Sequence, residues 1–473
     1  MRAAVLIVAA ALALAALTLL APSSPSYDPF AWIVWGRELM PGAGGEPFTL
    51  AGGPSWKPLP VLFTTPFALA GDAAPALWLL VARAGLLLTL VGAFALGRRL
   101  AGTAAGAFAA LFMLLLADVV SLAWRGASEP LLLATILWAC ERHLAGARRT
   151  AFAFGVAAAL IRPEALPFVA LYALWLWRRE DARGRALLLG GLALVPLLWV
   201  GLPGLAGDPL AASATAQTDV GGQTSVRTAL DRGFELPLAP VWLLALAALL
   251  MREREPAPYL LAGGAFAWFA LVAAMTAAGY AGVARYMLPG AAVLSVVAAV
   301  GAVDVLCLLA RRRALVLSVL AVAVFVLCLV PLARRASTLD DQVRSGTAVA
   351  HSNEDLQAAV AAAGGAGALR GCALHDGWIA VNHTSQSALA WELKVSLDRV
   401  ARTMRRPGLL VRAPRSAAAG APPAITLTPS PHATAVARAG TWSVIALRAV
   451  GAPLPAACAG RKASGPARRI PNI

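Results

Sequence analysis

Long apolar runs recur along this chain from about residue 3 to residue 333. Roughly 20 apolar residues are what a helix needs to cross the hydrocarbon core of a bilayer. A soluble domain typically carries about 25% charged residues, whereas here 14% of the 473 residues are charged and 59% are hydrophobic. The pattern predicts a mostly α-helical, polytopic membrane protein, and it excludes a soluble enzyme and a disordered chain.

The apolar runs predict about eleven membrane spans. If spans alternate in direction, every arginine cluster between them lies in the cytoplasm, as the positive-inside tendency requires. The run 150–178 is interrupted by Arg162-Pro163-Glu164, so it forms either two short spans or a re-entrant hairpin. The first run has a poor signal-peptide cleavage site, which favours an uncleaved anchor with its N-terminus inside. Eleven spans then place the C-terminus outside. The predicted spans are about 3–21, 75–96, 103–119, 130–146, 150–162, 164–178, 186–203, 237–251, 258–278, 288–310 and 314–333.

The character of the sequence changes near residue 335. Residues 336–473 contain charged stretches, an alternating apolar patch at 442–447 and Pro/Ala/Gly-rich connectors. We predict a transmembrane catalytic domain over 1–335 and a small extracytoplasmic α/β domain over 336–473, with a helix at 387–400 and a basic tail. Cys372 and Cys458 both fall in this outer domain, where an oxidising compartment would permit a disulfide between them.

The net charge of +16 raises the question of a nucleic-acid partner. In the membrane region, however, the arginines stand in short loops between apolar runs, and that pattern sets topology. The basic tail suits anionic lipid headgroups or an acidic polymer. Membrane lipid is therefore an expected partner and nucleic acid is not.

Charged residues from distant loops are predicted to meet at the outer side of the membrane domain. Ionisable residues at membrane depth are costly and are functional candidates, so this convergence predicts a site for an anionic ligand. Arg83 lies within the second predicted span, roughly 12 Å deep at about 1.5 Å per residue. The residues at the outer side are Asp28, Arg37, Glu38, Lys57, Arg125, Glu129, Arg162, Glu164, Asp208, Arg285 and Tyr286.

The first external loop, residues 22–74, is far longer than a connection between two helices needs. Asp28, Trp32 and Trp35 have i, i+4, i+7 spacing, which places them on one side of a helix. Tryptophan favours the membrane interface, so this helix is predicted to lie along it. Further on, Trp56-Lys57-Pro58 places a lone lysine before a second short apolar stretch.

In this order, these features resemble the GT-C superfamily of integral-membrane glycosyltransferases, which use polyprenyl-phosphate sugars and include the aminoarabinose transferases and protein O-mannosyltransferases. The resemblance covers residues 1 to about 335. It rests on an acidic residue after the first span, an interfacial helix, a Lys-Pro pair and an arginine in the second span. Three further segments match: Gly-Ala-Ser-Glu-Pro at 126–130, Leu-Ile-Arg-Pro-Glu-Ala at 160–165 and Ala-Arg-Tyr-Met-Leu-Pro at 284–289.

The resemblance implies a GT-C-like helical bundle with a catalytic carboxylate at Asp28 and the second acidic position of the family at Glu129. Two departures bear on metal binding. Asp28 is followed by Pro29, where many members have a second acidic residue, and the second position is often Asp. No cofactor is identified; a divalent metal ion held by Asp28 and Glu129 is left open.

The implied reaction accounts for the residue types. A departing polyprenyl phosphate needs positive charge more than it needs an acid, and one carboxylate suffices as base for an inverting displacement. Asp28 is the expected base, and Glu129 orients the acceptor or helps to bind a metal. The expected phosphate-binding residues are Lys57, Arg83, Arg285 and Tyr286, and the expected substrate-binding residues are Trp32, Trp35 and Arg162.

Each of these residues also has a purely structural interpretation. Asp28 and Glu129, each followed by proline, fit helix N-caps, and Lys57 fits a lysine that extends to the headgroups. The other structural interpretations are a pair between Arg83 and Asp118, a local pair between Arg162 and Glu164, and interfacial anchoring by Trp32, Trp35 and Tyr286.

The predicted function is transfer of a sugar from a polyprenyl-phosphate donor to a cell-envelope glycan, lipid or protein, at the outer face of a bacterial cytoplasmic membrane. The alternative is a multi-pass transporter or flippase of a lipid-linked sugar. That alternative predicts two related halves, and no internal repeat is evident in the sequence.

Overall fold

The computed structural model describes residues 2–54, 56–218, 225–312, 315–374, 378–427, 432–448, 458 and 468–469. The side chains of residues 311–332 and most of the predicted basic tail lie outside this description. The described part is mostly helical, and a small β-sheet follows near the C-terminus.

A helix lies at the position of each predicted span. Two more helices, α2 and α3, occupy the first external loop. The helices of this region are α1 (Arg2–Thr18), α2 (Tyr27–Leu39), α3 (Pro58–Phe67), α4 (Ala74–Leu114), α5 (Val119–Trp124), α6 (Glu129–Leu144), α7 (Arg148–Ala159), α8 (Leu166–Trp177), α9 (Ala182–Pro196), α10 (Leu202–Leu205), α11 (Ala211–Thr218), α12 (Val226–Phe234), α13 (Ala239–Met251), α14 (Pro256–Ala277), α15 (Leu288–Arg312) and α16 (Leu315–Ala362).

Four helical segments of the described chain are long and apolar enough to cross a membrane. A bent pair, α12 with α13, adds a fifth if the two helices count as one span. The number of spans, about eleven, therefore stays a prediction. The four segments are Pro58–Leu114, Ala182–Leu205, Pro256–Ala277 and Ala284–Ala310.

The second and third predicted spans are joined in α4. The helix breaks at Ala101 and Gly102, where Gly102 has a φ of +83°, and glycine adopts this left-handed region without the strain that a Cβ would cause. The second half ends at Leu114 rather than at residue 119. Asp118 has a φ of 60°, which interrupts the helix before α5 begins.

The core of the first loop is built from tryptophan. Trp32 packs edge-on against Trp78 of α4, and Trp35 packs against Trp56. Gly36 permits close contact between α2 and α3, since a Cβ there would lie 2.6 Å from the backbone carbon of Thr64. Trp32 and Trp35 are both buried, so their interpretation as interfacial anchors is wrong: their large apolar rings are enclosed by protein.

The C-terminal region begins without a break in the helix. α16 passes through residue 335, the predicted domain boundary, and continues to Ala362. It is followed by α17 (Ala366–Leu374), α18 (Gln386–Leu393) and the strands β1 (Ile379–Val381), β2 (Val400–Ala401), β3 (Thr403–Met404), β4 (Gly408–Arg412), β5 (Ala424–Ile425), β6 (His432–Ala439), β7 (Trp442–Arg448) and β8 (Arg468–Arg469).

Six strands form one mixed sheet in the order β2-β1-β4-β7-β6-β8, and β3 pairs with β5. The apolar patch at 442–447 falls on β7, a central strand, as its alternation predicts. The predicted helix 387–400 is too long: it ends at Leu393, because Lys394 adopts a left-handed φ of 55°. Cys372 and Cys458 form a disulfide.

The C-terminal region is hydrogen-bonded to the first-loop helix α2. The Ser387 hydroxyl donates to the backbone oxygen of Tyr27 at 2.6 Å, and the Tyr27 hydroxyl donates to Gln386 at 3.1 Å. At the other end of α2, the buried Arg37 donates to the backbone oxygens of Trp391 and Val395. Both ends of α2 are thus held by residues from beyond the membrane bundle.

Candidate active site

Five charged residues from distant parts of the chain meet at the beginnings of helices. Asp28 is in the first turn of α2, Lys57 directly precedes α3, and Glu129 is the first residue of α6. Arg162 precedes the short helical turn that leads into α8, and Arg285 lies in the turn that leads into α15. Backbone N–H groups and the partial positive charge of each helix dipole are therefore concentrated here, which favours an anion.

The centre of the cluster is the carboxylate of Glu129, which is buried. Its Oε1 lies 3.7 Å from Nε of Arg285, 3.8 Å from Nζ of Lys57 and 3.8 Å from Nη2 of Arg162. Neither carboxylate oxygen has a hydrogen-bond partner within the described part of the chain. Three cations thus surround one carboxylate without a close hydrogen bond, and two of them have a second carboxylate neighbour, Asp28 for Arg285 and Glu164 for Arg162.

Asp28 lies at the edge of this cluster. Its Oδ2 accepts a hydrogen bond from Nη2 of Arg285 at 3.2 Å, and the carboxylate is partly exposed. Asp28 does not serve as the N-cap of α2, because that position is occupied by Ser26. Glu129 is likewise not a cap, since Ser128 precedes it at that position. The capping interpretations of both residues are therefore wrong.

Lys57 is buried and does not extend to the headgroups. Its Nζ donates to Oγ of Ser128 at 2.8 Å and lies 5.1 Å from the centroid of the Trp32 ring. Burial lowers the pKa of Lys57 to about 8, against the opposing attraction of Glu129. For Glu129, burial acts to raise the pKa, but Lys57, Arg285 and Arg162 outweigh it and lower the pKa to about 2.

Arg162 is held by two neighbours in addition to Glu129. Its Nη1 donates to Oε1 of Glu164 at 2.8 Å, so the local pair predicted at this turn forms. Its guanidinium also stacks over the ring of Tyr286, 3.7 Å from the centroid, a geometry in which cation–π attraction is strong. Tyr286 therefore supports the cluster through its ring.

A cavity of about 240 Å³ opens beside the cluster. The charged residues Asp28, Lys57, Arg162, Glu164 and Arg285 line one part of it, and apolar side chains that include Trp199, Leu210 and Val272 line much of the rest. This wall combines concentrated positive charge with an apolar surface, which suits an amphipathic anion.

A larger apolar groove of about 680 Å³ lies next to this cavity, between α6, α7 and α8 on one side and α14 and α15 on the other. The groove begins beside the cluster, where Nε1 of Trp268 donates to the backbone oxygen of Tyr286. It continues along the bundle to His143 and Tyr172, which hydrogen-bond to each other at 2.9 Å.

A second cavity of about 230 Å³ shares two residues with the first, Asp28 and Arg285. Its other walls come from residues that precede or begin α2, from Leu122, Arg125 and Ala127, and from the C-terminal region. The lining residues of the C-terminal region are Val349, Asn353, Thr384, Ala388, Ala417 and Ala418. The Asp28–Arg285 pair thus forms the boundary between two cavities.

Three residues predicted for the site, Arg83, Trp32 and Trp35, line neither cavity, although the Trp32 ring lies 5.1 Å from Nζ of Lys57. Arg83 donates to the backbone oxygen and hydroxyl of Thr18 and to the backbone oxygen of Trp124, and it stacks on the Trp124 ring. It therefore joins the end of α1 to α5, and the predicted pair with Asp118 does not form. Trp35 packs against Trp56 within the protein core and lines neither cavity.

Several residues of the site were not identified from the sequence. Ser128 was visible only as part of the segment 126–130, and nothing in the sequence connects it with Lys57. Gln386 and Ser387 are 359 and 360 residues from Tyr27, so no local pattern links them. Arg125 was placed at the outer side but was not assigned to a cavity.

The carboxylates of the cluster do not form a metal site. Glu129 is surrounded by three cations and Asp28 is paired with Arg285. Metal sites need several oxygen, nitrogen or sulfur ligands around one point, and no group of three His, Cys, Asp or Glu residues in the described chain meets that need. The arrangement of these residues favours an anion.

Replacing Glu129 is expected to destabilise the protein strongly. In Glu129→Gln, the buried Lys57 loses its carboxylate neighbour and Arg162 and Arg285 each lose one of two, and breaking a buried ion pair from one side typically costs about 3–5 kcal/mol. Asp28→Asn is the matched control, because Asp28 is more exposed and has one cation partner. Thermal unfolding of the detergent-solubilised variants should show a much larger fall in Tm for Glu129→Gln; equal falls would contradict the central role of Glu129.

No family model and no curated protein matches the sequence. Solved structures do match. ArnT from Cupriavidus metallidurans bound to undecaprenyl phosphate aligns with a TM-score of 0.57 and 17% identity over 94% of this chain and 97% of that chain. The apo form of the same protein gives a TM-score of 0.53 and 18% identity with the same coverage.

The match extends over nearly all of both chains, including the C-terminal region. It confirms the fold that the ordered motifs of the first 335 residues indicate, although fewer than one residue in five is identical. This chain is therefore a membrane protein with the fold of ArnT.

Proposed function

We propose that this protein is a membrane glycosyltransferase that transfers a sugar from a polyprenyl-phosphate donor to a hydroxyl group of an acceptor. The observation that carries the proposal is the position of Asp28: its carboxylate lies at the boundary of two cavities, beside a buried cluster of cations. One carboxylate and a concentration of positive charge are what an inverting displacement of a phosphate leaving group requires.

The cation cluster suits the phosphate of the donor. Lys57, Arg162 and Arg285 all line the first cavity, and Glu129 lies 3.7–3.8 Å from each of them. As the bond between the sugar and the phosphate breaks, negative charge accumulates on the departing phosphate. Fixed cations in a partly dry site stabilise that charge without reorganisation, which lowers the barrier.

Asp28 is the proposed base. Its carboxylate accepts the proton of the acceptor hydroxyl, the hydroxyl oxygen forms a bond to the anomeric carbon, and the bond from that carbon to the phosphate oxygen breaks. Polyprenyl phosphate leaves with the electron pair, and the configuration at the anomeric carbon is inverted. Arg285 keeps the Asp28 carboxylate in place through their 3.2 Å contact.

The apolar groove is the proposed site of the prenyl chain. It begins beside the cluster and runs along the bundle, so a lipid whose phosphate is held by the cations has an apolar path next to its head. ArnT, which has the same fold, has been solved with undecaprenyl phosphate bound. We place the enzyme in the cytoplasmic membrane with the site at the outer face and an acceptor from the cell envelope.

The decisive experiment measures sugar transfer by purified protein in nanodiscs. A panel of radiolabelled polyprenyl-phosphate sugars is incubated with a membrane-lipid and glycan extract. The parent protein should transfer sugar, and Asp28→Asn should lose at least about 100-fold in rate, since a positioned general base typically contributes about 10²–10⁴-fold.

Asp340→Asn is the matched control, because Asp340 is exposed on α16, far along the chain from the site, and pairs with Arg344. It should keep full activity. Equal rates of sugar transfer by Asp28→Asn and by the parent would show that Asp28 is not the base. Movement of the sugar lipid across a vesicle without its consumption would favour the transporter alternative.

Affinity for undecaprenyl phosphate should depend on the charge of Lys57. Below its pKa of about 8 the side chain is protonated and attracts the phosphate; as the pH rises through this value the charge and the affinity are lost. The phosphate is already doubly charged there, because its second pKa is about 6. Binding should therefore weaken by up to about tenfold per pH unit above 8.

Lys57→Arg is the matched control for this pH dependence, because a guanidinium stays protonated over the whole range. Its affinity for undecaprenyl phosphate should remain constant between pH 7 and pH 9.5, roughly the window in which the parent titrates. Equilibrium binding of undecaprenyl phosphate to both proteins in detergent tests this. The same decline in both would assign the titration to another group.

Filling the groove should weaken lipid binding. Gly264 lines the groove and a Cβ there meets no atom within 4 Å, whereas its neighbour Gly263 has the same open surroundings but does not line it. Gly264→Phe should therefore reduce affinity for undecaprenyl phosphate by at least about tenfold, the equivalent of roughly 1.4 kcal/mol. Gly263→Phe should leave affinity unchanged, and equal affinity of both variants would place the prenyl chain elsewhere.

A further inference from the structure

The second cavity has no part in the donor site just described, apart from the two residues that both cavities share. A base at a boundary between two cavities can take a proton from a molecule in one while the leaving group departs in the other. The second cavity is therefore where an acceptor hydroxyl would approach Asp28. This step rests on the proposed function.

The charge of this cavity is not balanced. Asp28 and Arg285 line it as a pair, so their charges offset each other. Arg125, the third charged lining residue, makes one side-chain hydrogen bond within the described chain, from Nε to the backbone oxygen of Ser121 at 3.4 Å. Its two terminal nitrogens donate to no described residue. Asp118, Glu129 and Asp28 attract it electrostatically and Arg285 repels it, but Arg125 forms no ion pair in the described chain.

Two features of the protein hold Arg125 in place. Its backbone oxygen accepts from the backbone N–H and the hydroxyl of Ser26, two residues before Asp28. Its side chain is half-buried at the end of α5. A guanidinium that is positioned by its backbone, with terminal N–H groups that remain available, is suited to a phosphate or carboxylate, which it binds through paired charge-assisted hydrogen bonds.

The size and the other walls of the cavity restrict what fits. Its volume of about 230 Å³ is below the roughly 300–1,000 Å³ of pockets that enclose drug-sized ligands, so it suits one sugar-sized end group. The C-terminal region contributes the small side chains of Ala388, Ala417 and Ala418 together with the polar Asn353 and Thr384. These walls leave room for a ring with hydroxyl groups.

We propose that this cavity binds an acceptor sugar that carries a negatively charged group, with Arg125 as the residue that recognises the charge. Phosphate and carboxylate share the required chemistry. In this arrangement Arg125 is a specificity-determining residue, and the C-terminal region forms the wall that limits the size of the acceptor unit.

The test measures binding to protein in nanodiscs that has been saturated with undecaprenyl phosphate, so that the anion site of the first cavity is filled. Glucose, glucose 6-phosphate and glucuronate are the probes, and saturation-transfer NMR reports their binding. The parent should bind at least one charged probe about tenfold or more tightly than glucose, as expected for a charge-assisted contact. Comparison of the two charged probes distinguishes a phosphate-bearing from a carboxylate-bearing acceptor.

Arg125→Gln should abolish the preference for the charged probe and leave glucose binding unchanged. Arg415→Gln is the matched control, since Arg415 is exposed and close in sequence to the lining residues Ala417 and Ala418 but does not line the cavity. Ala417→Trp, at an exposed position on the rim of the cavity, should weaken the binding of all three probes. Unchanged Tm and undecaprenyl-phosphate affinity in these variants would show that they fold.

The inference is overturned if the parent binds glucose as well as it binds both charged probes, or if Arg125→Gln keeps the preference. If Arg125→Gln does not fold, the Ala417→Trp variant tests the inference instead. Unchanged binding of the probes to that variant would show that they do not bind in this cavity. Failure of the proposed function is a separate result: the parent would then not bind undecaprenyl phosphate in the first step of the experiment.

Discussion

One buried carboxylate organises the outer end of this bundle. Glu129 lies 3.7–3.8 Å from three cations that come from α3, from the turn before α8 and from the turn before α15. Like charges so close together would separate these helix ends, and the shared counter-charge prevents this. The beginnings of several helices are held at one point as a result, and both cavities are formed around that point.

The charged cluster stabilises the bundle, although several of its polar atoms have no hydrogen-bond partner in the described chain. Charge pairs elsewhere in the bundle, such as Arg252 with Asp304, are closely hydrogen-bonded to each other. Around Glu129 the three cations lie 3.7–3.8 Å away, and Lys57 is held there by Ser128 and the Trp32 ring as much as by charge. The Nε groups of Arg162 and Arg285 have no hydrogen-bond partner in the described chain. Buried donors without a partner are costly unless an anion accepts from them, which is the physical reason for assigning a phosphate to this place.

Much of this arrangement could be predicted from the sequence. The apolar runs located a helix at each of the eleven predicted spans but not the shorter helices α5, α11 and α12. The predicted topology and the ordered motifs placed Asp28, Lys57, Glu129, Arg162 and Arg285 together. The burial of Trp32 and Trp35 could not be predicted, since a tryptophan at the interface and one in the core have the same local pattern. The prediction for Arg83 was wrong for a related reason. A cation at membrane depth can donate hydrogen bonds to any nearby oxygen, and Arg83 donates to the backbone oxygens of Thr18 and Trp124. Contacts between Tyr27 and residues 386–387 depend on tertiary folding alone.

The hydrogen bonds between Tyr27 and α18 affect the position of Asp28. Its backbone oxygen and its hydroxyl are both bonded to α18, and the next residue along the chain is Asp28. Because these bonds hold the first residue of α2 against α18, the packing of α18 helps to set where Asp28 lies. The position of the Asp28 carboxylate therefore depends on the C-terminal region as well as on Arg285.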